Sequence, residues 1–260
     1  MGGGGWAGTG GRYRVRAPTR PRSDKNPGVP RQHAVFLGGP GVRYEERPPP
    51  PQLAPWVAVC WRIVTEVDFD LRIPPDGCMD MIRGDVVGSF SSVGIARLPA
   101  GSVSRGVRFH PGGLPALCGV PATELVDLRL PIGDVLPRFR SLERLALDAA
   151  PPDPVVRAVW ASQDVRDVAR DSGYSARQLR RRVLAATGHS PKRLMRIARM
   201  QRLLLDGRGE SWARAAVEHG YYDEAHMAND VRELVGATPH ALVGDDRFLQ
   251  VPRDAAVLAS

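Results

Sequence analysis

The segment SARQLRRRVLAATG contains the residues whose types and spacing have the clearest chemical meaning. Leu179, Val183 and Ala186 recur at helical spacing, and at about 100° per residue Arg177 and Arg181 point almost directly away from them. Guanidinium groups on a protruding helix bind guanine O6 and N7 in the major groove, and they also pair with phosphates. The segment therefore predicts a DNA-contacting helix, although a solvated helix with an exposed arginine face is an alternative on this segment alone.

Two helices and a glycine turn are needed to position this arginine stripe. Val165, Val168 and Ala169 give a preceding short helix one apolar face, and Gly173 ends that helix where a left-handed residue is favoured. Ser175 then follows as the N-cap of the arginine-bearing helix. This order of helix, turn and helix with an outward cationic face is typical of a helix-turn-helix unit.

A second copy of the pattern occupies residues 212–239. Gly220 is its turn residue, and Asp223 is placed to cap its second helix. The apolar positions predicted to face inward in the two helices are Trp212, Ala215, Ala216, Met227, Val231 and Leu234. Each copy ends in a similar closure, GHSP in the first and GATP in the second, and a helix over about 192–205 joins them. Two units on one such helix can occupy neighbouring segments of the major groove, about one helical turn apart.

The positive charge of the chain is concentrated in the first of these units. The 260 residues carry a net charge of +8. Residues 160–202 contain eleven basic and three acidic side chains, whereas residues 203–243 contain three and seven. A further basic block lies in residues 1–47. Net charge alone only permits a polyanionic partner, but its distribution indicates which unit would hold DNA more strongly.

The remainder of the chain divides by composition. Residues 1–40 show no apolar period and predict a disordered leader. Residues 41–136 contain strand-length apolar runs separated by turn signals, which favours a compact, mostly antiparallel β-rich domain. We expect a sensor or dimerisation role for this domain. We expect a helix and a linker over 137–159, the double helix-turn-helix domain over 160–243 and a tail over 244–260. The predicted fold class is α+β, a β-rich N-terminal domain followed by an all-α domain of two helix-turn-helix units and a linker helix.

Residues 165–243 resemble the double helix-turn-helix DNA-binding domain of AraC/XylS-type transcriptional regulators. The matching positions are Ala169, Gly173, Ser175, Leu179, Arg181, the closure at 188–191, Arg199, Ala216, Gly220, Tyr221 and the closure at 236–239. Residues 44–136 are similar to the small β-rich domain that precedes such a DNA-binding domain in actinobacterial-type regulators.

The resemblance implies which side chains contact DNA. It places Arg177, Arg180 and Arg181 on the base-reading positions of the first recognition helix. The full set that we predict to contact DNA is Ser175, Arg177, Gln178, Arg180, Arg181, Lys192, Glu224, His226 and Asn229. The second recognition helix, predicted over 223–236, carries four acidic residues, and carboxylates near phosphates are repulsive. We therefore expect the first unit to dominate affinity and the second to contribute shape or weak readout.

These patterns predict a sequence-specific transcriptional regulator that binds double-stranded DNA and is not an enzyme. A small-molecule effector, a homodimer and a contact with RNA polymerase are compatible with this interpretation. The alternative is a ligand-binding or catalytic N-terminal domain that the helix-turn-helix pair targets to DNA. No apolar run approaches the roughly 20 residues that cross a bilayer, and because no apolar stretch follows the basic residues near the N-terminus we do not expect a secretory signal there. We expect a cytoplasmic protein, associated with the nucleoid when bound to DNA.

Neither a metal site nor a catalytic thiol is predicted, and no cofactor is expected. Four residues lie close together in the sequence, but they lack histidine and a standard ligand spacing: Asp76, Cys78, Asp80 and Asp85. Cys118 with His110 has no third residue to orient it for nucleophilic chemistry.

Overall fold

The computed structural model describes residues 41–206 and 211–242. The predicted leader, residues 1–40, and the predicted tail, residues 244–260, lie outside the described residues. The strands are β1 (Val42–Arg47), β2 (Val57–Thr65), β3 (Phe69–Ile73), β4 (Met79–Ile82), β5 (Asp85–Val87), β6 (Gly94–Leu98), β7 (Val103–Phe109) and β8 (Arg129–Pro131). Six of them form a sheet in the order β1-β2-β7-β4-β5-β8, and β3 pairs with β6 in a second sheet. Each of these strand pairs is antiparallel, which confirms the predicted β-rich N-terminal domain.

Two apolar clusters stabilise this domain. In the larger one, Phe109 and Leu114 are fully buried where the helix α1 (Gly113–Cys118) packs against the six-stranded sheet. In the smaller one, Tyr44, Ile63 and Leu71 join β1 and β2 to the two-stranded sheet. The second sheet is therefore held by side-chain packing as well as by its own hydrogen-bond ladder.

A close approach between β2 and β7 fixes the position of one aromatic ring. Trp61 lies opposite Gly106 in the strand register, and a Cβ atom at residue 106 would lie 2.4 Å from Cζ2 of the indole. Only glycine leaves room for the ring across β7. The indole Nε1 in turn donates a hydrogen bond to Asp80 Oδ1 at 2.7 Å, which orients the ring relative to β4.

Short helices connect the two halves of the chain. The helix α3 (Leu142–Ala146) lies within the residues 137–159 expected to hold a helix and a linker, and a further short helix, α2 (Ile132–Val135), precedes it. Leu136 takes φ −133° and ψ 78°, because the residue before Pro137 is disfavoured in the helical region. The next helix is α4 (Pro154–Ala161). Asp153 is its N-cap, and Asp153 Oδ1 accepts a hydrogen bond from Val155 N at 3.1 Å.

The C-terminal part consists of the helices α5 (Val165–Ser172), α6 (Ala176–Thr187), α7 (Pro191–Asp206), α8 (Trp212–Glu218), α9 (Glu224–Val235) and α10 (Pro239–Leu242). The pairs α5–α6 and α8–α9 are the two helix-turn-helix units, and α7 is the linker helix between them. Leu194 of α7 is buried in one cluster with α4, α5 and α6, while Ile197 and Met200 are buried in another with α8 and α9. A single helix therefore contributes to the cores of both units.

The linker helix and the end of α6 also rest on the N-terminal domain. Ser89 Oγ donates a hydrogen bond to the carbonyl of Thr187 at 3.1 Å, and Gln201 Nε2 donates to the carbonyl of Pro75 at 2.7 Å. The guanidinium of Arg193 donates to the carbonyl of Ser91. Gln201 is only 5% exposed, so its amide would lose a buried partner if the two domains separated.

Candidate nucleic-acid interface

The start of α6 is fixed by a reciprocal pair of side chains. Ser175 Oγ accepts a hydrogen bond from Gln178 N at 3.3 Å, and Gln178 Oε1 accepts one from Ser175 N at 2.9 Å. This capping box satisfies two backbone N–H groups that the first helical turn cannot pair internally. Ser175 and Gln178, which we predict to contact DNA, therefore also determine where the recognition helix begins.

Three arginines share the outward face of α6. Arg177, Arg180 and Arg181 are exposed, whereas Leu179 and Val183 on the opposite face are fully buried. Within residues 41–206 and 211–242, no carboxylate forms an ion pair with any of the three guanidinium groups. All three positive charges are therefore available to a phosphate or a base edge.

The neighbouring arginine has a structural role. Arg182 Nε lies 2.7 Å from Asp153 Oδ2, and its guanidinium lies 4.8 Å from the centre of the Tyr174 ring. These contacts tie α6 to the start of α4 and to the turn between α5 and α6. The sequence shows four arginines in α6, and the structure separates the three that face outward from the one that holds the unit together.

One further residue predicted to contact DNA, Lys192, follows the recognition helix of the first unit. Lys192 is exposed in the first turn of α7. The preceding closure brings His189 into the interior, where it is 2% exposed, and Gly188 caps α6 in the left-handed region at φ 75°. The chain thus turns tightly between α6 and α7, which places Lys192 directly after the end of the recognition helix.

The second recognition helix presents a different surface. Glu224, His226 and Asn229, the residues of α9 that we predict to contact DNA, are exposed. His226 Nδ1 accepts a hydrogen bond from Tyr222 N at 3.2 Å, and Asn229 Oδ1 accepts one from Arg232 Nη1 at 2.9 Å. Two of the three predicted readers on α9 therefore already have hydrogen bonds within the unit.

Part of the acidic charge of α9 is neutralised from α7. Arg196 Nε lies 2.5 Å from Asp230 Oδ1, and its two terminal nitrogens donate to Glu233 at 3.1 and 2.7 Å. The hydrogen bonds from Arg196 lower the pKa of the Glu233 carboxyl. Asp230 is 7% exposed and faces the interior. Two of the four carboxylates counted in the sequence thus fasten α9 to α7, a role that sequence spacing alone did not reveal.

Two family models match the chain, one in each half. Residues 168–244 match a model described as a helix-turn-helix domain, and residues 45–131 match a domain of unknown function (DUF6597). The first match is of the AraC type and confirms the resemblance seen in the sequence. No curated protein matches the chain.

Among solved structures, the chain is similar to ToxT from Vibrio cholerae O395, with 9% identity and a TM-score of 0.35 over 78% of this chain and 96% of that chain. A ToxT structure from strain SCE256, bound to an unsaturated fatty acid, gives 10% identity and a TM-score of 0.34 over 78% and 93%. At these values the likeness supports no conclusion about a ligand or a DNA site.

The described residues also bear on other classes of function. No described helix is long and apolar enough to cross a membrane. In the same part of the chain, no group of three or more His, Cys, Asp and Glu side chains is arranged to hold a metal ion. Burial raises the pKa of the Cys118 thiol, which keeps it in the protonated and poorly nucleophilic form.

Proposed function

We propose that this DNA-binding transcription regulator, which carries an AraC-type helix-turn-helix domain, reads the major groove mainly through α6. The observation that carries the proposal is the contrast between the two recognition helices. On α6, Arg177, Arg180 and Arg181 are exposed and free of ion pairs with the described carboxylates. On α9, Glu224 is acidic, and Asn229 is held by a local hydrogen bond.

The electrostatic consequence follows from counterion release. Each cationic side chain that neutralises a phosphate steepens the dependence of binding on salt by about 0.9 in the log–log slope. The first unit offers three guanidinium groups on α6 and the ammonium group of Lys192, whereas the only arginine of α9 is Arg232. Most of the salt dependence should therefore arise from the first unit.

The linker helix α7 allows both units to bind DNA in a single event, although they contribute unequally. Because α7 contributes to both apolar cores, and Arg196 fixes α9 to it, the second unit is presented by the same rigid scaffold as the first. Docking of α6 in one segment of the major groove then brings α9 towards the next without a separate ordering step. We infer that α9 adds shape complementarity and weak readout.

A pair of alanine variants tests the asymmetry. The operator is first obtained by selecting genomic fragments with the purified full chain at two salt concentrations. Arg181→Ala should abolish specific binding to that operator, and Asn229→Ala should cost far less, both measured by fluorescence anisotropy. Arg105→Ala removes an exposed arginine from β7 and serves as the matched charge control. Equal losses in the first two variants would show that both units carry the affinity.

Specificity is tested separately from affinity. Arg177→Ala should relax the preference at one base position by about 1–3 kcal/mol, because one bidentate guanine contact is lost. The selection is repeated with this variant, and the two sequence preferences are compared. A preference unchanged at every position, or a steep salt slope without any sequence preference in the parent protein, would contradict sequence-specific reading by α6.

We also infer that the N-terminal domain controls how α6 and α7 are presented, in response to an effector. The hydrogen bonds from Ser89 to Thr187 and from Gln201 to Pro75 support this, because they join the domain directly to both helices. Gln201→Ala should change operator affinity although Gln201 is buried and cannot touch DNA. Gln52→Ala, which alters an exposed glutamine, is the control, and equal affinities of the two variants would argue against control through this interface. A homodimer and a contact with RNA polymerase stay predictions.

A further inference from the structure

A cavity of about 630 Å³ lies between the two sheets of the N-terminal domain. This volume falls within the range of about 300–1,000 Å³ that is typical of small-molecule sites. Its walls are mostly apolar and include Ile63, Leu71 and Leu98. Trp61 and Tyr44 also line it, and their stacked rings have centroids 6.3 Å apart. Such walls favour a ligand with an apolar, flat body.

A buried arginine in the wall has an unused donor. Arg108 is 5% exposed, and its Nη1 has no hydrogen-bond partner among the described residues. Its Nε donates a hydrogen bond to Asp80 Oδ2 at 3.4 Å, and Asp76 Oδ2 lies 3.8 Å from Nη1. Because two carboxylates already surround Arg108, a third would be repelled there. A neutral oxygen of a ligand, hydroxyl or carbonyl, would satisfy the free N–H group instead.

The lining of the cavity contains more basic than acidic residues. Three exposed arginines, Arg83, Arg97 and Arg129, contribute to its lining, and Asp80 is the one acidic residue of the lining. Arg97 and Arg129 have carboxylate neighbours outside the cavity, at 3.9 and 2.7 Å, whereas the guanidinium of Arg83 donates to a backbone carbonyl. Exposed guanidinium groups beside an apolar chamber favour an anionic group at the entrance.

We propose that this cavity binds a ring-containing organic acid, with its apolar body against Trp61 and Leu71 and its carboxylate at Arg83, Arg97 and Arg129. A hydroxyl or carbonyl oxygen at the opposite end accepts a hydrogen bond from Arg108. This assignment gives a chemical class to the effector inferred above, but direct binding to the cavity does not require any effect on DNA. Failure of DNA regulation and failure of ligand binding are therefore separate results.

Isothermal titration calorimetry on the full chain tests the class with four probes that share one ring system. The probes are 2-naphthoate, 2-naphthalenemethanol, 2-naphthylmethylamine and 6-hydroxy-2-naphthoate. We expect 2-naphthoate to bind at least about tenfold more tightly than the neutral alcohol, since a charge-assisted pair is added. The amine should not bind detectably, and the hydroxy acid should bind more tightly than the parent acid. Equal or tighter binding of the amine overturns the proposal, as does a hydroxy acid that binds more weakly than 2-naphthoate.

Variants locate the site. Arg97→Ala should weaken 2-naphthoate binding by about tenfold, because it removes one exposed guanidinium from the entrance. Arg105→Ala removes an exposed arginine that does not line the cavity and should leave binding unchanged. Ala96→Trp places a large ring inside the cavity and should abolish binding, with circular dichroism checking that the variant is folded. Binding that persists in folded Ala96→Trp, or equal losses in the two arginine variants, would place the probe elsewhere and overturn the assignment.

Discussion

Acidification should destabilise this protein through one buried histidine. His189 lies in the closure between α6 and α7, is 2% exposed, and its Nε2 has no hydrogen-bond partner among the described residues. Burial, reinforced by the positive charge of Arg193, lowers the pKa of His189 from 6.5 to about 4. The folded protein therefore keeps this imidazole neutral over a range of pH in which the unfolded chain binds a proton.

The sign and size of the effect follow from linkage. Because the pKa of His189 is depressed in the folded state, its contribution to stability is complete above about pH 7 and is lost as the pH falls from about 6.5 towards 4. For a pKa of 6.5 unfolded and about 4 folded, the free energy of unfolding at pH 5 should be lower by about 2 kcal/mol than at pH 7.5. Below about pH 4 this contribution stops changing.

The measurement is urea unfolding followed by circular dichroism at about pH 7.5 and pH 5, for the parent protein and for His189→Gln. The variant removes the titrating group, so the pH-dependent loss should shrink by about 2 kcal/mol relative to the parent. His240→Gln makes the same substitution at an exposed side chain and is the matched control for the replacement itself. Burial also lowers the pKa of His110 and raises that of Asp76, so the comparison rests on the difference between variants. An identical loss in the parent and in His189→Gln would refute the reasoning.

Three further predictions concern the scaffold of the DNA-binding domain, and urea unfolding measures each of them. Ser175→Ala removes the capping box of α6 and should cost about 1 kcal/mol, with weaker operator binding because the first turn frays. Asp230→Asn removes the buried one of the two carboxylates that pair with Arg196 and should cost about 3 kcal/mol, whereas Glu233→Gln, at a side chain 61% exposed, should cost under about 1 kcal/mol. Equal costs would mean that the burial of the carboxylate does not decide the cost. Gly188→Ala should lower the free energy of unfolding more than Gly173→Ala. Both residues have positive φ, but only a Cβ at residue 188 would meet a neighbour, at 2.1 Å. A smaller loss at residue 188 would show that this contact relaxes freely.

The helix-turn-helix units were predictable because their signals are local. Ser175 and Asp223 cap their helices as expected, and Gly173 and Gly220 adopt positive φ angles in the turns. The inward positions, such as Val231, are buried as the helical spacing indicated. Caps, turn glycines and apolar periods all act within one or two turns of a helix, so they can be recognised without knowledge of distant contacts.

The contacts that shape the candidate interface were not predictable, because they join residues far apart in the sequence. The charge count for the second recognition helix treated Asp230 as a repulsive surface group. In the structure, Arg196, 34 residues earlier, binds this carboxylate in the interior. Arg182 is not among the predicted contact residues, but its partner Asp153 lies 29 residues away and could not be identified from the helical spacing. Trp61 lines the cavity, which no local pattern indicates, since the space between the two sheets depends on their packing.

The segment that contains Pro75 and Asp76 contacts both Arg108 in the cavity and the linker helix α7. The carbonyl of Pro75 accepts the hydrogen bond from Gln201, and the next residue, Asp76, lies beside Arg108. If movement at Arg108 reaches α7 through this segment, linkage makes the effect reciprocal. Any factor by which a cavity ligand changes operator affinity is also the factor by which the operator changes ligand affinity. Operator DNA would then act as an effector of the cavity, and the ligand occupancy of each copy would depend on whether that copy is bound to the genome.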